Sequence, residues 1–300
     1  MFDPPPIEDR RSKIVAQLRT LRWSAWLAWQ MESNWTRPGL FAVYVLAKPL
    51  AAALLLVAMY RAAETVAADT IPTGFLPFLY LSNACYMLVG GVTFGMGEAV
   101  ISDREKYGML KFVRISPALL WTYLIGRGLA RAAIAVLGCL LSVGFGLALL
   151  PEVRAALIHP DIAWGWLTAY AAAGTVMLLS LGLILTGAVL NLPRYGMFLS
   201  EAVAGTLYLL SGVVFPIDVL PAWLRPVSLI LPTTYWMEGM RRALLGPTRF
   251  SESLGGWAHG HLALALLAAT LALAAFANWF FRWSERRAWR LGRFDQVSGV

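Results

Sequence analysis

The chain has 300 residues, 59% hydrophobic and 14% charged, with a mean hydropathy of +0.63 and a net charge of +8. A soluble domain carries ~25% charged residues and short periodic apolar segments, whereas several apolar stretches here reach the ~20 residues that cross ~30 Å of hydrocarbon. A soluble globular fold is excluded, and the basic residues flank apolar runs as topology signals do rather than forming a nucleic-acid surface.

Residues 1–13 hold Pro4, Pro5 and Pro6 and are expected to be irregular; with acidic residues and no apolar core, this start does not fit a cleaved signal peptide. From Arg10 to Gln30 a helix is predicted, because Ile14, Leu18, Leu21, Ala25 and Trp29 fall on one face. Arg10, Arg11, Lys13, Arg19 and Arg22 surround that face, and Trp23, Trp26 and Trp29 suit the headgroup level, which predicts an interfacial helix. A soluble amphipathic helix packed on a partner is the alternative. Residues 1–39 are thus a cytoplasmic tail and interfacial helix, broken off at Thr36-Arg37-Pro38-Gly39.

The first span runs from Leu40 to Tyr60 and contains Lys48, placed either to snorkel or to face the bundle interior. Span two, Phe75 to Val100, is dense in glycine, and Gly91 and Gly95 form a GxxxG step that lets another helix approach closely. A charged island follows, ISDREKYGMLKFVRISP from Ile101 to Pro117. It must leave the hydrocarbon, and its apolar residues interleave with charges as in a helix lying on the membrane surface. It is either a plain solvated connection or a docking helix for a soluble partner.

Span three, Leu119 to Leu150, is too long for one perpendicular helix. Arg127 and Arg131 lie one turn apart in its first half, so an amphipathic lead-in is expected, with the apolar core starting near Ala132; a substrate-binding pair in a cavity is the alternative. Cys85 and Cys139 read as packing residues inside spans. Pro151 to Asp161 forms a loop, Trp164 to Leu190 is span four, and a tight turn at Asn191 to Tyr195 leads to span five, Gly196 to Phe215. Pro216, Pro221, Pro226 and Pro232 then recur through a segment too apolar for a free loop, which predicts short broken helices in a re-entrant hairpin closed at the surface by Glu238, Arg241 and Arg242. Span six covers His261 to Phe281, and a tail with five arginines follows from Arg282.

The expected fold is an all-α integral membrane protein with six transmembrane helices across 40–282, an N-terminal interfacial helix, a linker helix at about 101–116, a re-entrant segment at about 216–240 and a basic cytoplasmic tail over 283–300. With both termini inside, sixteen Lys and Arg face the cytoplasm and six the other side, which favours that orientation in a plasma or inner membrane.

Two stretches carry a resemblance to the membrane subunits of ABC-2 type exporters. Asp103-Arg104-Glu105-Lys106-Tyr107-Gly108-Met109-Leu110 with Ser116-Pro117 is similar to that family's linker after the second span, although Lys111 stands where the family often has a glutamate. Leu210-Ser211-Gly212-Val213-Val214-Phe215-Pro216, followed by Leu220-Pro221, Trp223-Leu224 and Leu231-Pro232, is similar to its segment after the fifth span. The resemblance implies a permease that docks on a separate dimeric ATPase, which binds the ATP and Mg. It implies an amphipathic, lipid, drug or glycan cargo, and a second permease chain, identical or related. It assigns coupling to Asp103, Arg104, Glu105, Lys106, Gly108 and Leu110, and makes Arg127, Arg131, Phe215, Pro216, Pro221, Pro232 and Glu238 candidates for the translocation path or gate. The sequence itself has no GxxxxGK[ST] phosphate loop, and no cofactor or metal is expected in the chain.

Two rival classes remain: an integral-membrane enzyme on lipid-linked substrates, and a channel or scaffold subunit without ATP coupling. For the enzyme, His259-Gly260-His261 is the nearest approach to a metal pair, while Glu98, Glu201 and Glu238 are scattered.

Overall fold

A computed structural model of the chain describes residues 7–33, 38–67, 72, 74–158, 162–246 and 252–294. Of the irregular start expected over 1–13, residues 1–6 lie outside the described residues, as do the break at 36–37, His159 and the side chain of Lys48; from Ile7 on that start is helical, because the prolines end at Pro6.

Helix α1 (Ile7–Ser33) leads to α2 (Pro38–Ala67), then α3 (Phe75–Val89) and α4 (Gly95–Glu105), which a π-helical turn at Gly90–Phe94 joins into one rod. Next come α5 (Leu110–Ile115), α6 (Leu120–Leu149), α7 (Pro151–Leu157), α8 (Trp164–Asn191) and α9 (Gly196–Leu210). The chain ends with α10 (Arg225–Ile230), α11 (Pro232–Leu245), α12 (Glu252–Gly255) and α13 (His259–Arg290). Among the described residues four rods are long and apolar enough to cross a membrane: Phe75–Glu105, Leu120–Leu149, Trp164–Asn191 and His259–Arg290. They coincide with the expected second, third, fourth and sixth spans.

Span three is one unbroken helix of 30 residues, and the arginines of its first half meet carboxylates. One expectation about a single helix needs correction. The helix predicted to reach Phe215 stops at Leu210, since Gly212 takes a left-handed φ of 70° that L side chains rarely adopt. At ~1.5 Å per residue, the 15 residues of α9 cover only ~22 Å, less than the hydrocarbon core.

Helix α1 packs along the first half of α6, yet not by its predicted apolar face. Ser24 and Ala28 are buried, while Ile14 and Leu18 are exposed. A methyl group at Gly126 of α6 would overlap Ser24, so the seam is a close approach of small residues, and the apolar flank of α1 turns outward. The GxxxG step works the same way: a Cβ on Gly91 would press on Ala135, and one on Gly95 on the Arg131 stem.

Among the described residues the interior holds two large apolar clusters and a small third one of Ala53, Tyr80, Val153 and Leu157. One of the large two, at the linker end, holds Met96, Val100, Leu110, Leu124, Leu185 and Phe281. The other, toward the opposite end, is centred on Trp236, Tyr170, Met177 and Leu262.

Candidate functional site

The linker is not one surface helix. Helix α4 ends at Glu105, where the Lys106 and Tyr107 amides both donate to the Ser102 carbonyl, at 2.9 and 3.0 Å, and the Met109 amide returns to Asp103 O at 2.8 Å. Gly108 supplies the left-handed residue this closure needs, with φ 59°. The chain then starts the six-residue α5, which stops at Ser116; there the extended backbone is the one favoured before a proline.

This break decides which linker residues face out. Asp103, Arg104 and Leu110 are buried, Glu105 is half-buried, and Lys106, Tyr107, Gly108, Phe112 and Ile115 are exposed. Asp103, expected on a docking face, points inward: its ion pair with Arg127 of α6 measures 3.1 Å. Tyr123 donates to Asp103 Oδ2 at 2.9 Å and accepts from Arg127 at 3.3 Å. Arg104 reaches the Pro193 carbonyl at 3.5 Å, beside the turn into α9. Helix α5 is moored from outside by Arg114, which pairs with Glu285 of α13 at 3.2 Å and lies over the Trp289 ring. A carboxylate and a guanidinium buried without each other would each cost several kcal/mol, so Asp103 and Arg127 hold the α4 end against α6.

One turn further along α6, Arg131 sits at the rim of a cavity of about 450 Å³ between α2, the π turn and α6. It pairs with Glu32 from α1 and with Glu98 from α4, the latter at 3.3 Å. Val45, Tyr86, Met87, Phe94 and Ile134 supply apolar wall. Burial at the end of α1 pushes the Glu32 carboxyl above its ordinary range, against the opposing pull of Arg131.

The proline segment is broken into short helices, as expected. The prolines stand at helix starts, Pro226 in the first turn of α10 and Pro232 in that of α11, where no intrahelical N–H is lost. Its spare carbonyls are met by side chains: Arg225 Nε bonds Leu220 O at 2.8 Å, and Thr234 and Tyr235 reach Ser228 O and Leu229 O at 2.7 Å each. Phe215 and Pro216 are half-buried, Pro221 is exposed, and Pro232 is buried.

Glu238, Arg241 and Arg242 do not close this segment at the surface. All three are buried, because α11 is enclosed by α3, α8 and α13. Glu238 pairs with Arg241 at 3.0 Å and with Arg242 at 2.7 Å. Arg241 also donates to Gly212 O at 2.8 Å and lies over Phe78, while Arg242 donates to the carbonyls of Leu254 and Trp257. Of the two histidines raised as a metal pair, His259 stacks on Trp166 and meets Tyr170. Among the described residues no group of three or more His, Cys, Asp or Glu is placed to hold a metal ion.

Sequence reasoning named Arg127 and Arg131 but missed their partners Tyr123, Glu32 and Glu98. Tyr123 stands four residues before Arg127, on the same helix face, and was legible; the two carboxylates lie 99 and 33 positions from Arg131 and became neighbours only through packing.

A helical membrane bundle with a broken charged linker, an adjoining polar layer and a proline-interrupted segment is now defined. No curated protein matches the chain in a sequence comparison. The family model described as ABC-2 type transporter matches residues 17–245, more than half of the chain, and takes in both motif stretches. The chain therefore belongs to the ABC-2 type transporter family and is a multi-pass membrane permease.

Proposed function

We propose that this permease is the membrane half of an ATP-driven exporter, with six spans, both termini in the cytoplasm, and a path for an amphipathic, lipid, drug or glycan cargo. Helices α2 and α9 would supply the first and fifth spans, the latter extended by the residues after Gly212. A separate ABC ATPase dimer would bind the ATP and Mg, and a second permease chain, identical or related, would complete the path.

The observation that carries this reading is the division of the linker. Its inner side is tied to α6 through Asp103 and Arg127, and its outer side presents Lys106, Tyr107, Phe112 and Ile115. A partner pressing on that outer face moves α4 and α6 together, because the buried pair cannot be parted cheaply. Docking is accordingly assigned to Glu105, Lys106 and the exposed residues of α5, with Asp103, Arg104 and Leu110 as the internal anchor.

Reversing the charges, Glu105→Lys with Lys106→Glu, is expected to leave the permease inserted and folded. It should weaken co-purification with the ATPase or uncouple ATP hydrolysis from transport, since polar contacts at such an interface are worth ~2–5 kcal/mol. Unchanged co-purification and unchanged coupling would remove the docking role. Orientation is tested separately. Cysteines replacing Lys106 and Arg290, both exposed, should be labelled only from the cytoplasm, and one replacing the exposed Val66 only from outside; the reverse pattern would overturn the topology.

A further inference from the structure

The rim of the α2–α6 cavity carries a charge arrangement that the docking role does not use. Arg131 is held between two carboxylates, so among the described residues of this rim Glu32 and Glu98 outnumber it by one. The three are not equally available. The Arg131 and Glu32 side chains are 19% and 28% accessible, but that of Glu98 is 65% accessible although it projects from a rod of 31 apolar-rich residues. Phe94 stands one helical turn before Glu98 and lines the same space, with Tyr86 two turns deeper. Part of the wall is the π turn, where Gly90 has no side chain and nothing packs against it closer than the Phe94 ring; π turns of this kind recur at functional sites. The volume, about 450 Å³, falls within the ~300–1,000 Å³ of pockets that enclose small ligands.

We infer that this cavity binds an amphipathic organic cation, its apolar body between α2 and the π turn and its charge against Glu98, with the Phe94 ring as the second cation-attracting surface. An anion would meet the exposed Glu98 carboxylate before the enclosed Arg131. Lys48 falls between Val45 and Ala52 in the α2 register, and the test addresses it directly. The inference concerns binding by this chain alone and does not depend on the ATPase or on the direction of transport.

Tetraphenylphosphonium and tetraphenylborate, nearly identical in shape and opposite in charge, are the probes, titrated against the purified full chain in an uncharged detergent. Saturable phosphonium binding is expected. Glu98→Gln should weaken it about tenfold, the equivalent of one partly screened charge contact, and should fold, because Arg131 keeps Glu32. Ala52→Leu fills the cavity without touching a charge and should weaken binding as well. Lys48→Met should leave phosphonium binding unchanged or tighter. Failure of the wild-type chain to bind phosphonium saturably, or phosphonium binding indifferent to both Glu98→Gln and Ala52→Leu, would overturn the assignment. Saturable borate binding lost in Lys48→Met would overturn it too, by showing an anion site.

Discussion

The chain is interrupted twice over a buried arginine network, and the two interruptions are built differently. At the linker a single left-handed residue, Gly108, stops α4, and the network beneath joins residues far apart in sequence: Asp103 on α4 to Tyr123 and Arg127 on α6. Between α9 and α11 the break uses four prolines and Gly212, and the network is local, Glu238 facing Arg241 and Arg242 at i,i+3 and i,i+4 on one helix. The first couples two rods whose relative position it sets. The second stiffens one helix and pins loops to it, through Gly212 O on one side and the carbonyls of Leu254 and Trp257 on the other. A pair between rods transmits displacement, whereas a pair within a helix resists it; the linker is the better place for a partner to push.

The largest effect that would break this comparison is expected at Glu238. Glu238→Gln leaves two guanidinium groups buried without their carboxylate, and losing one partner of a buried pair costs ~3–5 kcal/mol. The variant should show sharply reduced yield of monodisperse protein and a lowered thermal midpoint in detergent. A wild-type midpoint would mean that the carbonyl contacts alone hold the arginines.

Asp103→Asn should be milder for stability and more damaging for coupling. The amide still accepts from Tyr123 but no longer neutralises Arg127, a loss of ~3 kcal/mol, the low end for a broken buried pair, because one guanidinium is stranded and not two. Adding Arg127→Met to Asp103→Asn should recover much of the thermal midpoint, because the stranded charge is gone, without recovering ATP-coupled transport. Recovery of both together would show that this pair only holds the fold.

The smallest effect is expected at the prolines. Pro226 opens α10, and Pro221 lies exposed in the turn before it, so neither strains a helix interior. Pro221→Ala with Pro226→Ala should change stability by less than ~1 kcal/mol, chiefly through the unfolded chain, and should not straighten the segment. A large gain in helix content by circular dichroism would contradict this and show that the prolines hold back a continuous helix.

Much of this architecture was legible residue by residue. Apolar runs longer than ~20 residues can satisfy their backbone in lipid only as helices, so the rods at 75–105, 120–149, 164–191 and 259–290 follow from the text of the chain. The break at Pro216 to Pro232 follows from which residues lack an N–H, whereas the stop at Gly108 interrupts a stretch that the pattern reads as one surface helix. The charged linker and the proline motif also carried the family resemblance, and residues 17–245 bear it out.

Which way the charges face was decided by the fold alone. Periodicity placed Asp103 on a surface helix and Glu238, Arg241 and Arg242 at a membrane surface, because a lone charge is cheapest in water. Packing reversed both: α4 meets α6 with Asp103 against Arg127, and α11 is enclosed on three sides by α3, α8 and α13. Likewise α1 seats its small residues Ser24 and Ala28 on α6 and leaves Ile14 and Leu18 outside, a contact with α6 that the pattern of an interfacial helix does not reveal. Local sequence sets where a helix begins and ends, since those signals act within one or two turns. The partner of a buried charge depends on which rods become neighbours, and that is a property of the folded bundle.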